Sequence, residues 1–307
     1  MGVMRSALLA ASNNAWLREN AAKYKFVRRS VSRFLPGERF DEALAAAQIL
    51  SDKKIGTVFT RLGENVQDRH EAEKVTEHYL EVLARVNPLG MAYEVSVKLT
   101  QLGLDLSSEF CFENLSRIIA QAQRDTVVWV DMEASGYTDA TLEIYSRALK
   151  SHSNVGVCLQ AYLFRTAADL AKLMPLKPSI RLVKGAYSEP PEVAFPKKMD
   201  VDENYLALAE QMLLAKAGGQ CGRIAFGTHD IEMIRRISEF ATSQGVANSD
   251  VEVQMLYGIQ REEQECLANA GYRSLVLMNY GSYWYPWFVR RLAERPANVW
   301  FLLRNIF

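Results

Sequence analysis

The chain has 307 residues, of which 49% are hydrophobic and 23% are charged, and this length is enough for one large α/β domain or two smaller ones. It carries 36 basic and 36 acidic residues, so no net charge directs it to nucleic acid or to an anionic membrane. Its four cysteines form neither a Cys-x-x-Cys pair nor a Cys/His cluster, and no apolar run reaches the roughly 18 to 20 residues that span a bilayer. We expect a cytoplasmic protein with at most peripheral membrane contact.

The first 50 residues are predicted to form a helical segment ahead of the main domain. The pattern indicates a helix to about Tyr24, a basic connection, a break at Pro36-Gly37 and a second helix over 40–50. Two roles fit this 1–50 segment: packing on the domain that follows, or mediating assembly into a homo-oligomer. Residues 51–307 are predicted to form one continuous domain.

From Ile55 onward, short apolar runs alternate with longer amphipathic stretches. Eight runs have the length and composition of strands: IGTVFTRL (55–62), AYEVSVKL (92–99), TVVWVDME (126–133), VGVCLQAY (155–162), SIRLVKGAY (179–187), RIAFGTHD (223–230), VEVQML (251–256) and YRSLVLM (272–278). Helical spacing marks 68–86, 107–123, 138–150, 202–216, 230–243, 260–270 and the stretch from Tyr283. Alternation implies parallel strands, and eight such units in about 250 residues are the size of a (β/α)8 barrel. We therefore predict an α/β fold of the TIM-barrel type.

Motifs of several common enzyme classes are missing from the sequence. No Gly-x-Gly-x-x-Gly follows an early strand and no Gly-x-x-x-x-Gly-Lys-Ser/Thr occurs, so a nucleotide cofactor would be bound through barrel loops. No Gly-x-Ser-x-Gly elbow occurs, which argues against a serine hydrolase. The four histidines include no spaced His/Asp partner, so we predict no catalytic metal.

Polar residues cluster at or just past the carboxyl end of the apolar runs, which is the active-site edge of such a barrel. They are Glu64, Lys98, Asp131, Glu133, Gln160, Lys184, Tyr187, Thr228, His229, Asp230 and Gln254. Singly, a lysine there usually snorkels and an amide usually satisfies backbone groups. Together they predict a site for an anion and a large polar cofactor. Arg181 lies inside a run, so its side chain should point into the barrel and have a partner.

The stretch YWYPWFVRRLAE (283–294) places Trp287, Arg290, Arg291 and Glu294 at i, i+3, i+4 and i+7, on one face of a helix. An unpaired buried guanidinium is costly, so two arginines on that face predict a bound anion. A solvated terminal helix with its aromatic side turned inward is the alternative.

With these residues in view, the chain resembles the FAD-dependent proline dehydrogenase family in its single-function bacterial form. The matching stretches follow the family's order: LGENV (62–66), SVKLTQLGLDLS (96–107), VDMEASGYTDATL (130–142), LQAYLFRT (159–166), RLVKGAY (181–187), GTHD (227–230), VQMLYGI (253–259) and FVRRLAERPAN (288–298). The resemblance covers nearly the whole chain. It implies that residues 51–307 form a distorted, flavin-binding catalytic barrel, with FAD at the carboxyl ends of the strands and the final helix over the flavin.

The resemblance also implies roles for individual residues. Arg290, Arg291 and Lys98 would hold the substrate carboxylate, and Asp131 would orient Lys98. Arg181 would lie near the flavin N5 and stabilise the charge that develops there. Contacts with FAD would come from Gln160, Arg181, Lys184, Gly185, Ala186, Thr228, His229, Gln254 and Glu294.

On the substrate side, Tyr187 would line the pocket and Glu64 would be a gate residue that pairs with Arg290 when the site is closed. Two positions depart from the family pattern. Leu277 replaces a tyrosine at the end of the eighth strand, and Trp287 replaces a tyrosine three residues before the arginine pair. Two hydroxyl groups expected around the substrate ring are therefore missing.

The implied reaction is oxidation of L-proline to 1-pyrroline-5-carboxylate by hydride transfer to FAD, with electrons passed on to a quinone. Because of the two departures, a substituted or other proline-like cyclic amino acid in a biosynthetic role is a second hypothesis. A catalytically weakened flavin-binding relative is a third. Without the resemblance, a barrel aldolase or isomerase that uses Lys98 or Lys184 as a Schiff base also fits.

Overall fold

The computed structural model describes residue 27 and residues 30–294, with side chains as far as Val289. The predicted helix that ends near Tyr24 lies outside the described residues, and so do the side chains of Arg290, Arg291 and Glu294. The division of the chain at residues 50 and 51 stays a prediction.

Eight parallel strands form a closed barrel in the order β1 to β8, with β1 paired to β8. The strands are β1 (Gly56–Arg61), β2 (Tyr93–Lys98), β3 (Val128–Asp131), β4 (Val155–Gln160), β5 (Ser179–Val183), β6 (Ile224–Gly227), β7 (Val251–Leu256) and β8 (Arg273–Tyr280). The helices from Phe40 onward are α1 (Phe40–Ser51), α2 (Arg69–Val86), α3 (Ser108–Gln121), α4 (Thr138–Leu149), α5 (Thr166–Leu173), α6 (Lys198–Ala217), α7 (Ile231–Ser243), α8 (Arg261–Asn269) and α9 (Trp284–Glu294). The predicted α/β barrel is confirmed.

Helix boundaries follow local capping. The side chains of Asp68, Ser107 and Asp230 accept hydrogen bonds from backbone N–H groups at the starts of α2, α3 and α7. Asp230 therefore belongs to a helix cap rather than to the sixth strand run, because β6 ends at Gly227. The sequence pattern does not predict α5, whose eight residues are too few to show a clear helical period. No helix among the described residues is long and apolar enough to cross a bilayer.

The lower interior of the barrel is packed around Trp129. This fully buried indole contacts an apolar cluster formed with Val58, Ala225 and Leu275. Gly156, on the neighbouring strand, leaves room for the ring, since a Cβ atom there would lie 2.6 Å from it. This packing closes the interior around Trp129, and the open space lies toward the carboxyl ends of the strands, where α/β barrels bind ligands.

Candidate active site

A cavity of about 890 Å³ opens at the carboxyl ends of the strands. Every residue as far as Val289 to which the family resemblance assigns a role lines it: Glu64, Lys98, Asp131, Gln160, Arg181, Lys184, Gly185, Ala186, Tyr187, Thr228, His229, Gln254, Leu277 and Trp287. Strand geometry accounts for much of this convergence, because alternate residues of each barrel strand face the interior. The roles predicted for Arg290, Arg291 and Glu294 stay predictions, since their side chains lie outside the described part.

Asp131 lies between two cationic side chains. Lys98 Nζ is 3.5 Å from Asp131 Oδ2, and Arg181 Nη2 donates a hydrogen bond to Asp131 Oδ1. The Ser96 hydroxyl joins them: it donates to Asp131 Oδ1 at 2.8 Å and accepts from Arg181 Nη2 at 2.8 Å. The prediction that Arg181 points inward and has a partner is confirmed. The sequence pattern does not single out Ser96, although its position two residues before Lys98 puts it on the same face of β2.

The ionisation of this group follows from the balance of burial and attraction. Burial by itself would lower the pKa of Lys98 and raise the pKa of Asp131. The attraction of Asp131 outweighs burial at Lys98 and holds that pKa above its usual value, while Arg181 and Lys98 hold the pKa of Asp131 below its usual value. With Asp131 ionised and both cations protonated, the three side chains keep one surplus positive charge at the cavity wall.

Gln254 and Trp129 also contact the Arg181 guanidinium. Its Nη1 donates to Gln254 Oε1 at 3.0 Å, and its Cζ lies 5.1 Å from the centroid of the Trp129 ring. The residue is only 3% exposed. Because each of these contacts constrains the plane of the guanidinium, the positive charge of Arg181 has a fixed position beside the cavity.

A second charged group lies where β5 and β6 end. Lys184 Nζ is 2.5 Å from Asp202 Oδ1 and 3.3 Å from Asp230 Oδ2. Lys197 and Lys198 also line this part of the cavity. Asp202 and Asp230 set the position of Lys184, and Asp202 also pairs with Lys198. Three lysines against two aspartates leave a surplus positive charge, which suits a phosphate-bearing ligand.

His229 is not arranged as a metal ligand. Its Nε2 atom accepts a hydrogen bond from the backbone N–H of Leu256 at 2.9 Å, so that lone pair is already used. Among the side chains that the structure describes, no group of three or more His, Cys, Asp and Glu residues is placed to hold a metal ion.

Residues 188–197 form a wall of the cavity that the sequence pattern does not predict. Glu189 anchors this loop by accepting hydrogen bonds from the Ser135 backbone N–H at 2.7 Å and from Ser135 Oγ at 2.5 Å. The Phe195 N–H donates to the Tyr162 carbonyl at 2.8 Å. Proline-rich stretches such as EPPEV indicate a loop but carry no signal for a binding site.

Tyr187 and Glu64, two predicted site residues, contact each other in the cavity wall. Tyr187 Oη donates to Glu64 Oε1 at 3.3 Å.

Glu133, which is also a predicted site residue, is buried away from the cavity. It accepts hydrogen bonds from Thr100 N at 3.0 Å and Thr100 Oγ1 at 2.6 Å. The conformation of the loop after β2, rather than ligand binding, explains the position of Glu133.

Leu277 and Trp287 belong to one apolar cluster with Leu256, and all three line the cavity. Trp287 is 8% exposed, so most of the indole is packed rather than open to solvent. Leu256 is not predicted as a site residue, although alternation from Gln254 along β7 puts it on the inward face. This part of the cavity is an apolar wall.

Known proteins match both the sequence and the fold. The family model for proline dehydrogenase matches residues 43–304. "Proline dehydrogenase 2" of Bacillus subtilis (strain 168) is 35% identical over 305 residues, which are 99% of this chain and 99% of that protein. The "Proline dehydrogenase" of Deinococcus radiodurans is 36% identical over 280 residues, covering 89% of each chain.

A solved structure with the same fold is proline utilization A from Bdellovibrio bacteriovorus inactivated by N-propargylglycine. It superposes with a TM-score of 0.79 over 87% of this chain at 24% identity, and this chain spans 33% of that longer protein. At this identity the likeness shows the barrel fold alone. The family model and the two near full-length relatives show more: this chain belongs to the proline dehydrogenase family.

Proposed function

We propose that this protein oxidises L-proline to 1-pyrroline-5-carboxylate, with FAD as the hydride acceptor and a quinone as the final electron acceptor. The observation that carries the proposal is the charged group of Lys98, Asp131 and Arg181 on the wall of a cofactor-sized cavity, in a chain that is 35% identical over 99% of its length to a named proline dehydrogenase.

Lys98 supplies a cation for the substrate carboxylate. Asp131 raises the pKa of Lys98 in spite of burial, so the ammonium stays charged over the physiological range. Arg290 and Arg291 follow Trp287 by three and four positions and would add planar guanidinium donors, which suit a carboxylate. The surplus positive charge beside Asp131 favours an anion at this place.

The cavity suits FAD in size and in the chemistry of its lining. Its volume of about 890 Å³ is in the range of cofactor sites. Gln160 Oε1 is buried there and has no hydrogen-bond partner among the described residues, while Lys184, Lys197 and Lys198 offer positive charge for a pyrophosphate. A bound flavin would supply the two-electron oxidation.

In this reaction the protein holds the substrate and keeps the positive charge of Arg181 in a fixed position. Arg181 is in position before the reaction begins, so its charge acts without reorganisation. The substrate amine must be neutral before the neighbouring ring carbon can release hydride, and we expect turnover to rise with pH through an apparent pKa.

A Schiff-base aldolase fits the site less well. Its lysine must be neutral to attack a carbonyl, whereas the pKa of Lys98 is raised and Lys98 pairs with Asp131. Lys184 is paired with Asp202 and Asp230.

A second candidate function is oxidation of a ring-substituted proline or another cyclic amino acid of similar size. The apolar wall of Leu256, Leu277 and Trp287 favours this reading, because it offers no hydroxyl group to the substrate ring. A hydrophobic pocket discriminates by only about 1–3 kcal/mol per methylene, so L-proline would also be turned over.

The test is anaerobic mixing of the purified protein with L-proline, hydroxyproline and ring-substituted prolines while the absorbance of oxidised flavin is followed. Bleaching by L-proline supports the main proposal, and bleaching only by another cyclic amino acid supports the second candidate. A bound flavin that none of these compounds reduces would contradict both and favour a catalytically weakened relative.

A further inference from the structure

Four charged side chains lie beneath the cavity, and we call them the floor cluster: Glu94, Arg223, Glu252 and Arg273, of which the Arg273 side chain is 44% exposed. Arg223 forms ion pairs with both Glu94 and Glu252. Arg273 lies 3.3 Å from Glu252 and 3.7 Å from Glu94. Glu94 is 1% exposed and Glu252 is 2% exposed.

This cluster is an unusual filling for a barrel, whose interior layers are mostly branched apolar residues. Buried ion pairs contribute little net stability, because desolvation offsets most of their attraction. A contribution to stability is therefore a weak explanation for the buried carboxylates of Glu94 and Glu252 in the floor cluster.

Two side chains join the floor cluster to the active site: Gln254 through hydrogen bonds, and Trp129 through its Nε1 hydrogen bond to Glu94 Oε2 and its ring contact with Arg181. Gln254 Nε2 donates to Glu252 Oε1 at 2.6 Å, and Gln254 Oε1 accepts from Arg181 Nη1 at 3.0 Å. Glu252 and Gln254 are alternate residues of β7 and both face the interior. The Trp129 ring lies between Arg181 of the active site and Arg223 of the floor cluster, with its centroid 5.1 Å from Arg181 Cζ and 5.9 Å from Arg223 Cζ.

The chemistry of the partners determines which way the Gln254 amide faces. A guanidinium only donates, so it requires the amide oxygen. An ionised carboxylate only accepts, so it requires the amide nitrogen. The Glu252 carboxylate therefore holds Gln254 in the one orientation that presents an acceptor to Arg181.

We infer that Glu252 is a positioning residue that acts through the Gln254 amide to fix the Arg181 guanidinium beside the cofactor. The inference rests on the proposed flavin chemistry, in which the charge of Arg181 stabilises reduced flavin. Weakening the Glu252–Gln254 hydrogen bond would free the amide to rotate and present its NH2 group to Arg181, which would displace the guanidinium.

Three single variants of the holoprotein test the inference. Glu252→Asp keeps the charge but is one methylene shorter, so it no longer reaches Gln254. Glu252→Gln keeps the length but leaves a donor facing either Gln254 or Arg223. Glu94→Gln is the matched control, because Glu94 shares Arg223 but accepts its hydrogen bond from Trp129 Nε1 rather than from Gln254, and a glutamine oxygen can still accept that bond.

The readouts are the flavin midpoint potential, measured by anaerobic reductive titration, and the separate kcat and KM for L-proline. We expect each Glu252 variant to lower the equilibrium constant for flavin reduction about tenfold, which is about 30 mV for a two-electron couple. We expect kcat to fall and KM to stay within about twofold. Because Glu94→Gln leaves the Glu252–Gln254 hydrogen bond in place, we expect it to shift the midpoint potential clearly less than either Glu252 variant does.

A double-variant comparison shows whether Gln254 carries the effect. Gln254→Leu should lower the potential by itself, and Glu252→Asp added to it should lower the potential no further. A wild-type potential in Glu252→Asp, an equal shift in Glu94→Gln, or additive shifts in the double variant would each overturn the inference. If one Glu252 variant does not fold, the other carries the test.

Failure of the proposed function gives a different result. Chemical reduction of bound flavin requires no amino acid, so the midpoint potentials test the positioning role even if L-proline leaves the wild-type flavin oxidised. In that case the proposed substrate is wrong, and the flavin midpoint potentials of the Glu252 variants alone decide whether the positioning role is correct. A wild-type protein that binds no flavin would overturn both.

Discussion

Lys98 and Asp131 are register partners at the carboxyl ends of adjacent strands, β2 and β3. Their side chains bring Nζ to 3.5 Å from Oδ2. Neighbouring register positions keep the pair close without any loop rearrangement, and Asp131 also accepts from Arg181. One carboxylate on a rigid strand thus positions both cations, which is the arrangement expected of a preorganised anion site.

Asp131→Asn should disable the site and weaken the fold. The amide keeps the shape of the side chain but leaves two mostly buried cations without their shared counter-charge, a change that typically costs about 3–5 kcal/mol. We expect kcat/KM for L-proline to fall by more than about 100-fold and the urea midpoint to decrease. Ser96→Ala is the control that keeps the charge and should have a smaller effect on both. An Asp131→Asn protein with wild-type kinetics would contradict the assignment.

Lys98→Met should act mainly on substrate binding. Loss of a charge-assisted hydrogen bond of about 1.5–3 kcal/mol corresponds to a rise in the dissociation constant for L-proline of about 10- to 150-fold. Equilibrium titration of the oxidised protein with a non-reducing carboxylate analogue should show a loss of affinity of similar size. Arg291→Ala should weaken binding similarly. Unchanged affinity in both variants would show that the carboxylate binds elsewhere.

Leu277→Tyr should alter the choice among ring substituents. The larger polar side chain fills part of the apolar wall beside Leu256 and Trp287, so substituted prolines should lose kcat/KM relative to L-proline by about 10-fold or more. Met278→Leu is the matched control, because Met278 is the next residue of β8 and packs in the main core on the opposite face. Equal ratios in wild type and Leu277→Tyr would mean that this wall does not contact the ring.

Gly156→Ala should destabilise the barrel. A Cβ atom at this position would lie 2.6 Å from the Trp129 ring, and overpacking of this kind typically costs about 1–3 kcal/mol. Thermal unfolding measures the loss. Gly136→Ala serves as the control, because a Cβ atom there meets nothing within 4 Å and should leave the midpoint nearly unchanged. Equal midpoints in the two variants would contradict the predicted clash.

His78 should make stability depend on pH. Burial, with help from Arg61 and Arg85, lowers the pKa of His78 to about 4, and its Nε2 lies 2.8 Å from Tyr280 Oη. As the pH falls from about 6.5 to about 4, the unfolded chain binds a proton that the folded chain does not, so the free energy of unfolding decreases. Partial exposure reduces the expected effect to about 1–2 kcal/mol.

The measurement for His78 is the free energy of unfolding at several pH values in wild type and in His78→Gln. The wild type should lose more stability than the variant across this range. Parallel pH profiles would contradict the lowered pKa.

Local sequence pattern was sufficient for the eight strands and for the polar residues at their carboxyl ends, because strand alternation and capping act over only a few residues. It was not sufficient for α5, which is too short to show a period. The 188–197 loop also lacks any local signal, since its place in the cavity wall depends on Glu189 meeting Ser135, 54 positions away.

Sequence by itself divided each strand into two alternating sets of residues, and the polar residues at the carboxyl ends indicated which set faces the cavity. It did not single out Ser96 or Leu256, and it included Glu133, which lies away from the cavity. Only closure of the barrel decided which of them interact. Arg181 reaches Ser96 and Gln254 across 85 and 73 positions, and Glu252 on β7 meets Arg223, the residue just before β6. Such pairings depend on strand register and on the volume left by neighbours such as Trp129, and these are properties of the folded barrel rather than of any local stretch.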